Sequence, residues 1–295
     1  MRPGKLSPLL TAKVTAVLIA DSQVHLWHLG TPERPWPTPA PGHPGPHKPF
    51  AFTAEYLLGE MDKAGVDRAV LISPIFEGTR NDVVLEAARQ HPRRFGVMAR
   101  FDPLAEGGRD WLPTWYAHPG LLGIRFTLHI PGHRPMLVEN QLDWLWAQAE
   151  RLNKPVMLMA HFADLPHVAR IAERHPGLKL TVDHMGLTLG KDAEAFLDFA
   201  HLPALGKYPN VSVKVSCLPY HSTEAYPFQA MHPYVRQVYY AFGPKRMFWG
   251  SDLSRLQCTY TQMITMFTEE MTWLTPDDLE WIMGRALCEW LDWPV

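Results

Sequence analysis

Residues 155–182 read PVMLMAHFADLPHVARIAERHPGLKLTV, and this stretch holds the pattern that decides the fold. A short apolar run over 155–160 is followed by a polar break, an amphipathic stretch over 166–175 and a second short run over 178–182. Short apolar runs that alternate with amphipathic stretches of about ten or more residues are typical of parallel strands joined by crossover helices. The segment therefore predicts a strand–helix–strand unit.

The same alternation extends along the chain in both directions. Strand candidates fall at residues 14–21, 68–73, 95–100, 121–127, 155–160, 178–182, 211–216 and 246–251. The intervening helical stretches include residues 192–202, and a last one over 276–291 closes the chain. Eight such units predict a (β/α)8 barrel that occupies residues 1–295 as one domain. An open doubly wound sheet is the alternative, but no glycine-rich phosphate loop follows any strand.

Composition and charge exclude several classes of partner. Lys and Arg number 28 against 30 Asp and Glu, and no basic run is present, so nucleic acid and anionic membranes are not expected partners. The apolar run 14–20 has seven residues, whereas a membrane-spanning helix needs about 20. Three widely separated cysteines form neither a disulfide framework nor a zinc motif. We expect a cytoplasmic protein with a small-molecule substrate, and homo-oligomerisation stays open.

Proline is concentrated in one segment early in the chain. Eight of the 28 prolines lie between residues 32 and 49. Proline lacks a backbone donor and fixes φ, so this segment is expected to be a stiff loop. In a barrel the loop follows strand one, which predicts that it lies over the active-site face.

Polar residues collect where the predicted strands end. His25 follows strand one, His161 follows strand five, His184 follows strand six and Asp252 follows strand eight. In a barrel these ends share one face, which carries the active site. His25, His161 and Asp252 are ligand types that suit zinc, with a position left for water. His184 suits a proton shuttle or an electrophile, and Asp252 could itself be the base that activates water.

The strand-end motifs resemble those of the amidohydrolase superfamily, in its amidohydrolase-related (amidohydrolase 2) branch. The motifs are Asp-x-x-x-His-x-Trp at 21–27, GVDRAV at 65–70, GIRF at 123–126, His161, DHMG at 183–186, NVSVKVS at 210–216 and RMFWGSD at 246–252. The resemblance implies a (β/α)8 barrel that hydrolyses lactones, amides or related bonds, or decarboxylates aromatic acids. It also implies His25, His161 and Asp252 as metal ligands, zinc foremost, with His184 as the catalytic histidine.

One departure from the family pattern concerns the metal. Where the family commonly has His-x-His after strand one, this chain has Gln23-Val24-His25. Glutamine is a neutral, weak oxygen ligand, and some relatives hydrolyse lactones without metal. The sequence therefore leaves a divalent metal and a metal-independent mechanism as alternatives, and Gln23 becomes a candidate for contact with substrate.

Further candidates lie on or near the same strand ends. Arg125 suits a substrate carboxylate, with a structural ion pair as the alternative. Trp27 shares the side of an extended chain with His25 and is expected to wall the substrate pocket. Lys214 faces either the barrel lumen or the helices. Cys217 follows strand seven at the mouth of the barrel, where it resembles a nucleophile, but a small buried cysteine is the commoner case.

These residues predict a hydrolase that cleaves a carboxylic ester. The preferred substrate is a lactone of a sugar acid or of an aromatic-degradation intermediate, with water activated by Asp252 and a metal left open. A metal-dependent, non-oxidative decarboxylase of an aromatic acid is the alternative. A barrel that has lost catalysis and only binds ligands is the second alternative.

Overall fold

The computed structural model describes residues 17–37, 45–188 and 190–294, and eight parallel strands in them form one sheet in chain order. The strands are β1 (Ala20–His25), β2 (Arg68–Ile72), β3 (Phe95–Ala99), β4 (Leu121–Thr127), β5 (Val156–Met159), β6 (Leu180–Val182), β7 (Val211–Ser216) and β8 (Met247–Gly250). Each strand pairs with the next in parallel register. The predicted (β/α)8 barrel is confirmed.

Helices connect the strands and bury their apolar faces against the barrel. They are α1 (Ala54–Ala64), α2 (Asp82–Gln90), α3 (Gly108–Tyr116), α4 (Arg134–Val138), α5 (Asp143–Arg151), α6 (Leu165–Arg174), α7 (Asp192–Ala195), α8 (His232–Phe242), α9 (Tyr260–Thr265), α10 (Pro276–Glu280) and α11 (Ala286–Trp290). Thr53 caps α1 by accepting a hydrogen bond from the Tyr56 amide. Within the described ranges, no helix combines the length and apolar character that a bilayer crossing requires.

Two predicted helices differ in detail from the observed ones. The helix predicted over 192–202 ends at Ala195. Asp198 then adopts a left-handed conformation with φ of 62°, and a short 3-10 turn follows at Phe199–His201. The segment 276–291 is helical, but its middle, Trp281–Arg285, is a wider π-helical turn between α10 and α11. Neither difference changes the placement of the strand ends.

The first strand is the main correction to the predicted fold. The sequence predicts this strand over 14–21, and residues 14–16 of that range lie outside the described residues. In the structure, β1 instead runs from Ala20 to His25. Its polar residues can be buried because the barrel supplies their partners. The Asp21 carboxylate, for example, accepts hydrogen bonds from the Ser251 amide at 2.9 Å and the Tyr260 hydroxyl at 2.7 Å. Gln23 and His25 therefore lie within the strand, not after it.

Contacts between the first and last strands close the barrel and place Asp252. The Asp252 amide donates to the Gln23 carbonyl at 3.0 Å. Gly250 of β8 lies so close to β1 that a Cβ atom there would collide with the Ser22 hydroxyl. The residue that follows β8 is thereby held beside the end of β1.

Candidate active site

A cavity of about 280 Å³ opens at the carboxyl ends of the strands, and residues at or just after all eight strands line it. Its polar lining consists of His25, His47, Arg100, Arg125, Thr127, His129, His184, Thr188, Cys217, Tyr220, His221, Asp252 and Arg255. This is the face that carries the active site in (β/α)8 barrels. The cavity is therefore the candidate active site.

Asp252 is the one carboxylate among the described residues that line the cavity. It follows β8 and is 2% exposed. Its Oδ1 atom lies 3.5 Å from His25 Nε2 and has no hydrogen-bond partner, and its Oδ2 atom lies 3.5 Å from Arg255 Nε. Burial raises the pKa of Asp252, although the Arg255 charge opposes this shift. A buried carboxylate with a free oxygen is suited to accept a proton from water.

His184 stands beside Asp252 and is held by a serine. Its Nδ1 atom lies 2.9 Å from the Ser216 hydroxyl at the end of β7. Burial lowers the pKa of His184 well below its usual value, and the charges of Arg125 and Lys214 lower it further, while Asp183 opposes the shift. The imidazole is therefore neutral at pH 7. Since the serine hydroxyl can donate or accept, His184 can present either a donor or a lone pair to the cavity.

Left-handed backbone conformations orient three of these side chains. His184, Cys217 and Asp252 have φ angles of 51°, 62° and 53°, and each lies one or two residues after the end of its strand. Non-glycine residues in this region carry a cost of about 1 kcal/mol or more, which the surrounding fold must offset. Such strain is concentrated at functional sites in proteins.

Two neighbouring arginines form a cationic wall of the cavity. The Arg100 guanidinium donates to the Ser73 carbonyl at 2.7 Å and to Thr127 Oγ1 at 3.2 Å. The Arg125 guanidinium donates to Asp183 Oδ2 at 2.8 Å and also bonds Thr127. Burial and the adjacent Arg125 lower the pKa of Arg100. Arg125 therefore forms the structural ion pair that was raised as an alternative, and it also borders the cavity.

A buried lysine links the sixth, seventh and first strands beneath the cavity. Lys214 is fully buried and faces the lumen, where its Nζ atom lies 2.7 Å from Gln23 Oε1 and 3.0 Å from Asp183 Oδ1. Burial alone would raise the pKa of Asp183, but the charges of Lys214 and Arg125 lower it below its usual range. Asp183 is therefore ionised and holds both cations.

Two contacts determine which ring nitrogen of His25 carries the proton: the Ile72 carbonyl, and the Gln23 side chain that Lys214 orients. His25 Nδ1 lies 2.8 Å from the Ile72 carbonyl, which can only accept, so this nitrogen carries the proton. The other nitrogen, Nε2, then offers a lone pair, and the Gln23 amide lies 3.3 Å from it with its oxygen turned to Lys214. Burial lowers the pKa of His25, which keeps the ring neutral.

Three predicted site residues lie outside the cavity lining. Trp27 was expected to wall the pocket, but it is fully buried and stacks on Phe52. Gln23 is fully buried and its side chain meets Lys214 and His25, not the cavity. His161 is half-buried, and its Nδ1 atom bonds Thr188 Oγ1 at 2.5 Å. Large aromatic and amide side chains near a strand end can equally turn into the core, and here they do.

The metal set that the family resemblance implies does not assemble in this structure. His25 and Asp252 approach each other, but His161 lies outside the lining, and the Gln23 amide faces the nitrogen that His25 would use. Among the described residues, the group of three potential ligands close enough to share a cation is His184, Cys217 and Asp252. We therefore derive no catalytic step through a metal on His25, His161 and Asp252.

Sequence reasoning missed some of the lining altogether. His47 comes from the proline-rich segment, and its Nδ1 atom lies 2.8 Å from Ser254 Oγ, which brings the described end of that segment, from residue 45 on, to the cavity. Burial lowers the pKa of His47 to about 3. Arg255 follows Asp252 by three residues, and that spacing in a strand-end turn is the one signal that could have identified it.

Comparison with known proteins agrees with this architecture. An L-fucono-1,5-lactonase from Burkholderia ambifaria is 26% identical over 260 residues, which cover 80% of this chain and 81% of the relative. A Burkholderia multivorans amidohydrolase determined with bound zinc shares 19% identity at a TM-score of 0.77, covering 94% of this chain and all of that one. A putative 2-pyrone-4,6-dicarboxylic acid hydrolase from Pseudomonas putida shares 21% identity at a TM-score of 0.71, covering 95% and 99%.

The two structural likenesses establish the fold, and the family match extends over nearly the whole chain. The amidohydrolase family model matches residues 20–286, which include every strand and all of the cavity lining described above. The chain belongs to the amidohydrolase family and is an enzyme of the amidohydrolase type.

Proposed function

We propose that this enzyme hydrolyses a lactone that carries a carboxylate, with water activated by Asp252. The observation that carries the proposal is the charge pattern of the cavity. One buried carboxylate with an unpartnered oxygen faces Arg100, Arg125 and Arg255 among neutral imidazoles. A cationic wall next to a single base suits an anionic substrate whose ester bond is attacked by water.

The hydrolytic step follows from these groups. Asp252 Oδ1 takes a proton from water, and the resulting hydroxide attacks the ester carbonyl. The oxyanion that develops is stabilised by a hydrogen bond from the His184 imidazole, whose Nδ1 atom is held by Ser216. When the ring carbon–oxygen bond breaks, the leaving alkoxide receives the proton held by Asp252. The product is the ring-opened hydroxy acid.

The arginine pair has the role of substrate recognition. Arg100 and Arg125 lie side by side, and Asp183 already pairs with Arg125. No ion pair is found for Arg100 within the described ranges, and its burial beside the Arg125 charge disfavours its positive charge unless a further anion is present. A substrate carboxylate supplies that anion and accepts charge-assisted hydrogen bonds. This supports a lactone of a sugar acid or of an aromatic-degradation intermediate over an uncharged ester.

The two alternatives lead to different products. A metal-dependent decarboxylase of an aromatic acid would release carbon dioxide and consume a proton, whereas a lactonase releases an acid. A ligand-binding barrel would do neither. The buried carboxylate of Asp252, with one oxygen free to accept a proton from water, favours the lactonase. A panel of lactones followed with a pH indicator, beside aromatic acids followed for gas release, separates the three.

Arg100→Gln is expected to raise KM for a carboxylate-bearing lactone by about 10- to 100-fold, because a charge-assisted hydrogen bond contributes roughly 1.5–3 kcal/mol. The methyl ester of the same compound should show little change. Arg93→Gln, at an exposed position, is the control. Equal losses for the acid and its ester would contradict a role in carboxylate recognition.

The pH dependence of kcat/KM should show the raised pKa of Asp252. Asp252 acts as a base only when ionised, so activity should fall as pH decreases through a limb above the ordinary Asp pKa of about 3.9. The cavity imidazoles have lowered pKa values and add no limb near pH 6.5. Activity that stays constant down to pH 4, measured where the enzyme remains folded, would argue against Asp252 as the base.

We also infer from the charge and cysteine content that the enzyme acts in the cytoplasm on a small molecule and has no nucleic-acid partner. A homo-oligomer is compatible with this proposal. Fractionation of the native host followed by size-exclusion chromatography tests both points.

A further inference from the structure

Three buried side chains converge at the ends of β6, β7 and β8. One potential ligand atom each of His184, Cys217 and Asp252 lies within 4.8 Å of the other two. All three residues are at most 3% exposed. We propose that they form a binding site for a soft divalent cation of the zinc class, different from the His25, His161 and Asp252 set that the family resemblance implies.

The free oxygen of Asp252 is the observation that points to a ligand. Asp252 Oδ1 is buried and has no hydrogen-bond partner. Its neighbour His25 Nε2, at 3.5 Å, also offers a lone pair and cannot donate to it. The Cys217 thiol is the side-chain donor that lowers the pKa of Asp252, and a thiol is a weak donor. A cation in front of the buried Oδ1 atom compensates the carboxylate charge more fully.

The other two ligands are available to the same cation. Ser216 holds His184 at Nδ1, which leaves Nε2 free to bind and fixes the ring orientation, as partners of metal-binding histidines commonly do. The Cys217 thiol lies next to the Asp252 carboxylate, and sulfur is the donor that selects zinc-like cations over magnesium or calcium. Three protein ligands leave a fourth position for water or substrate.

Binding must remove the thiol proton. The balanced step is Cys–SH plus M²⁺ giving Cys–S⁻–M²⁺ plus H⁺, with the proton passing to solvent. The thiolate and Asp252 together then neutralise the two positive charges. Burial raises the pKa of the Cys217 thiol, so the protein without cation carries the protonated form, and each cation bound releases one proton.

Occupation of this site has a consequence that rests on the proposed function. The cation takes Oδ1 of Asp252, while Oδ2 faces Arg255. Coordination lowers the basicity of the carboxylate that must accept a proton from water, so zinc should inhibit lactone hydrolysis reversibly. The binding itself does not depend on the proposed function and is tested without substrate.

The test is titration of the reduced, chelator-stripped protein with Co²⁺, a spectroscopic substitute for zinc. We expect one equivalent to give a thiolate-to-cobalt charge-transfer band in the near ultraviolet. Zn²⁺ should displace it and release one proton per site in weakly buffered solution. Cys217→Ser should abolish the band, whereas Cys258→Ser, at a half-buried position outside the cavity, should leave it unchanged. Ser216→Ala should keep the band but weaken Co²⁺ binding by about 10- to 100-fold.

Thiol titration of the unfolded protein verifies that Cys217 is reduced. If such protein shows no cobalt band, the proposal is overturned. Persistence of the band in Cys217→Ser would also overturn it. If Cys217→Ser fails to fold by circular dichroism, Asp252→Asn takes its place, and the proposal then requires that it weaken Co²⁺ binding. A cobalt band in a protein that hydrolyses no lactone would support this site while contradicting the proposed function.

Discussion

Asp252→Asn is expected to lower kcat for lactone hydrolysis by about 10²- to 10⁴-fold, the usual contribution of a general base. The amide cannot take a proton from water, although it occupies almost the same volume. The fold should survive, because asparagine accepts the left-handed conformation that Asp252 adopts at φ of 53°. The measurement is steady-state kinetics on the best lactone of the panel.

Asp198→Asn provides the matched control for this variant. Asp198 also has a left-handed conformation, with φ of 62°, but it is exposed and lies outside the cavity. Its substitution should leave kcat near the wild-type value. If Asp252→Asn also retained near wild-type kcat, the assignment of Asp252 as the base would be wrong.

Lys214→Met should have the largest effect on stability, a decrease of about 3–5 kcal/mol in the free energy of unfolding. Removing one partner of a buried ion pair carries a cost of this size, because the polar atoms that it held are left without a donor in the protein interior. Here the loss would leave Asp183 with Arg125 alone and Gln23 Oε1 without its donor. Urea denaturation followed by circular dichroism measures the change.

Lys63→Met is the control, because Lys63 forms an ion pair with Glu60 but its side chain is 74% exposed. Exposed pairs contribute about 0–1 kcal/mol, so this variant should be close to wild type. If Lys214→Met lowers the free energy of unfolding by less than about 1 kcal/mol, the buried network does not stabilise the packing of β1, β6 and β7, contrary to what its geometry indicates.

The barrel could be predicted from the sequence because seven of its strands are short apolar runs. Such runs are identified by local periodicity, without knowledge of tertiary contacts. Strand β1 was misplaced for the opposite reason. Its buried Asp21 and Gln23 look like residues beyond a strand end, and they can be buried only because Ser251, Tyr260 and Lys214 supply hydrogen bonds from distant parts of the chain. Pairings of this kind are not visible in local periodicity.

As with the strands, only part of the site could be predicted from the sequence. The barrel topology alone brings His25, His184 and Asp252 to one face, and the structure places them around one cavity. Whether a side chain at a strand end turns to the lumen, the core or a neighbouring loop depends on packing, so the sequence could not show that Trp27 packs in the core and that His161 lies outside the cavity lining. The direction of Lys214 was left open for the same reason.

The measurement that tests the central claim most directly is product analysis of the most active carboxylate-bearing lactone, with the reaction run in water labelled with heavy oxygen. The proposed mechanism predicts a ring-opened hydroxy acid with one labelled oxygen in its new carboxyl group, no release of carbon dioxide, and loss of turnover in Asp252→Asn. Release of carbon dioxide from an aromatic acid, with no lactone of the panel taking up label, would contradict the account.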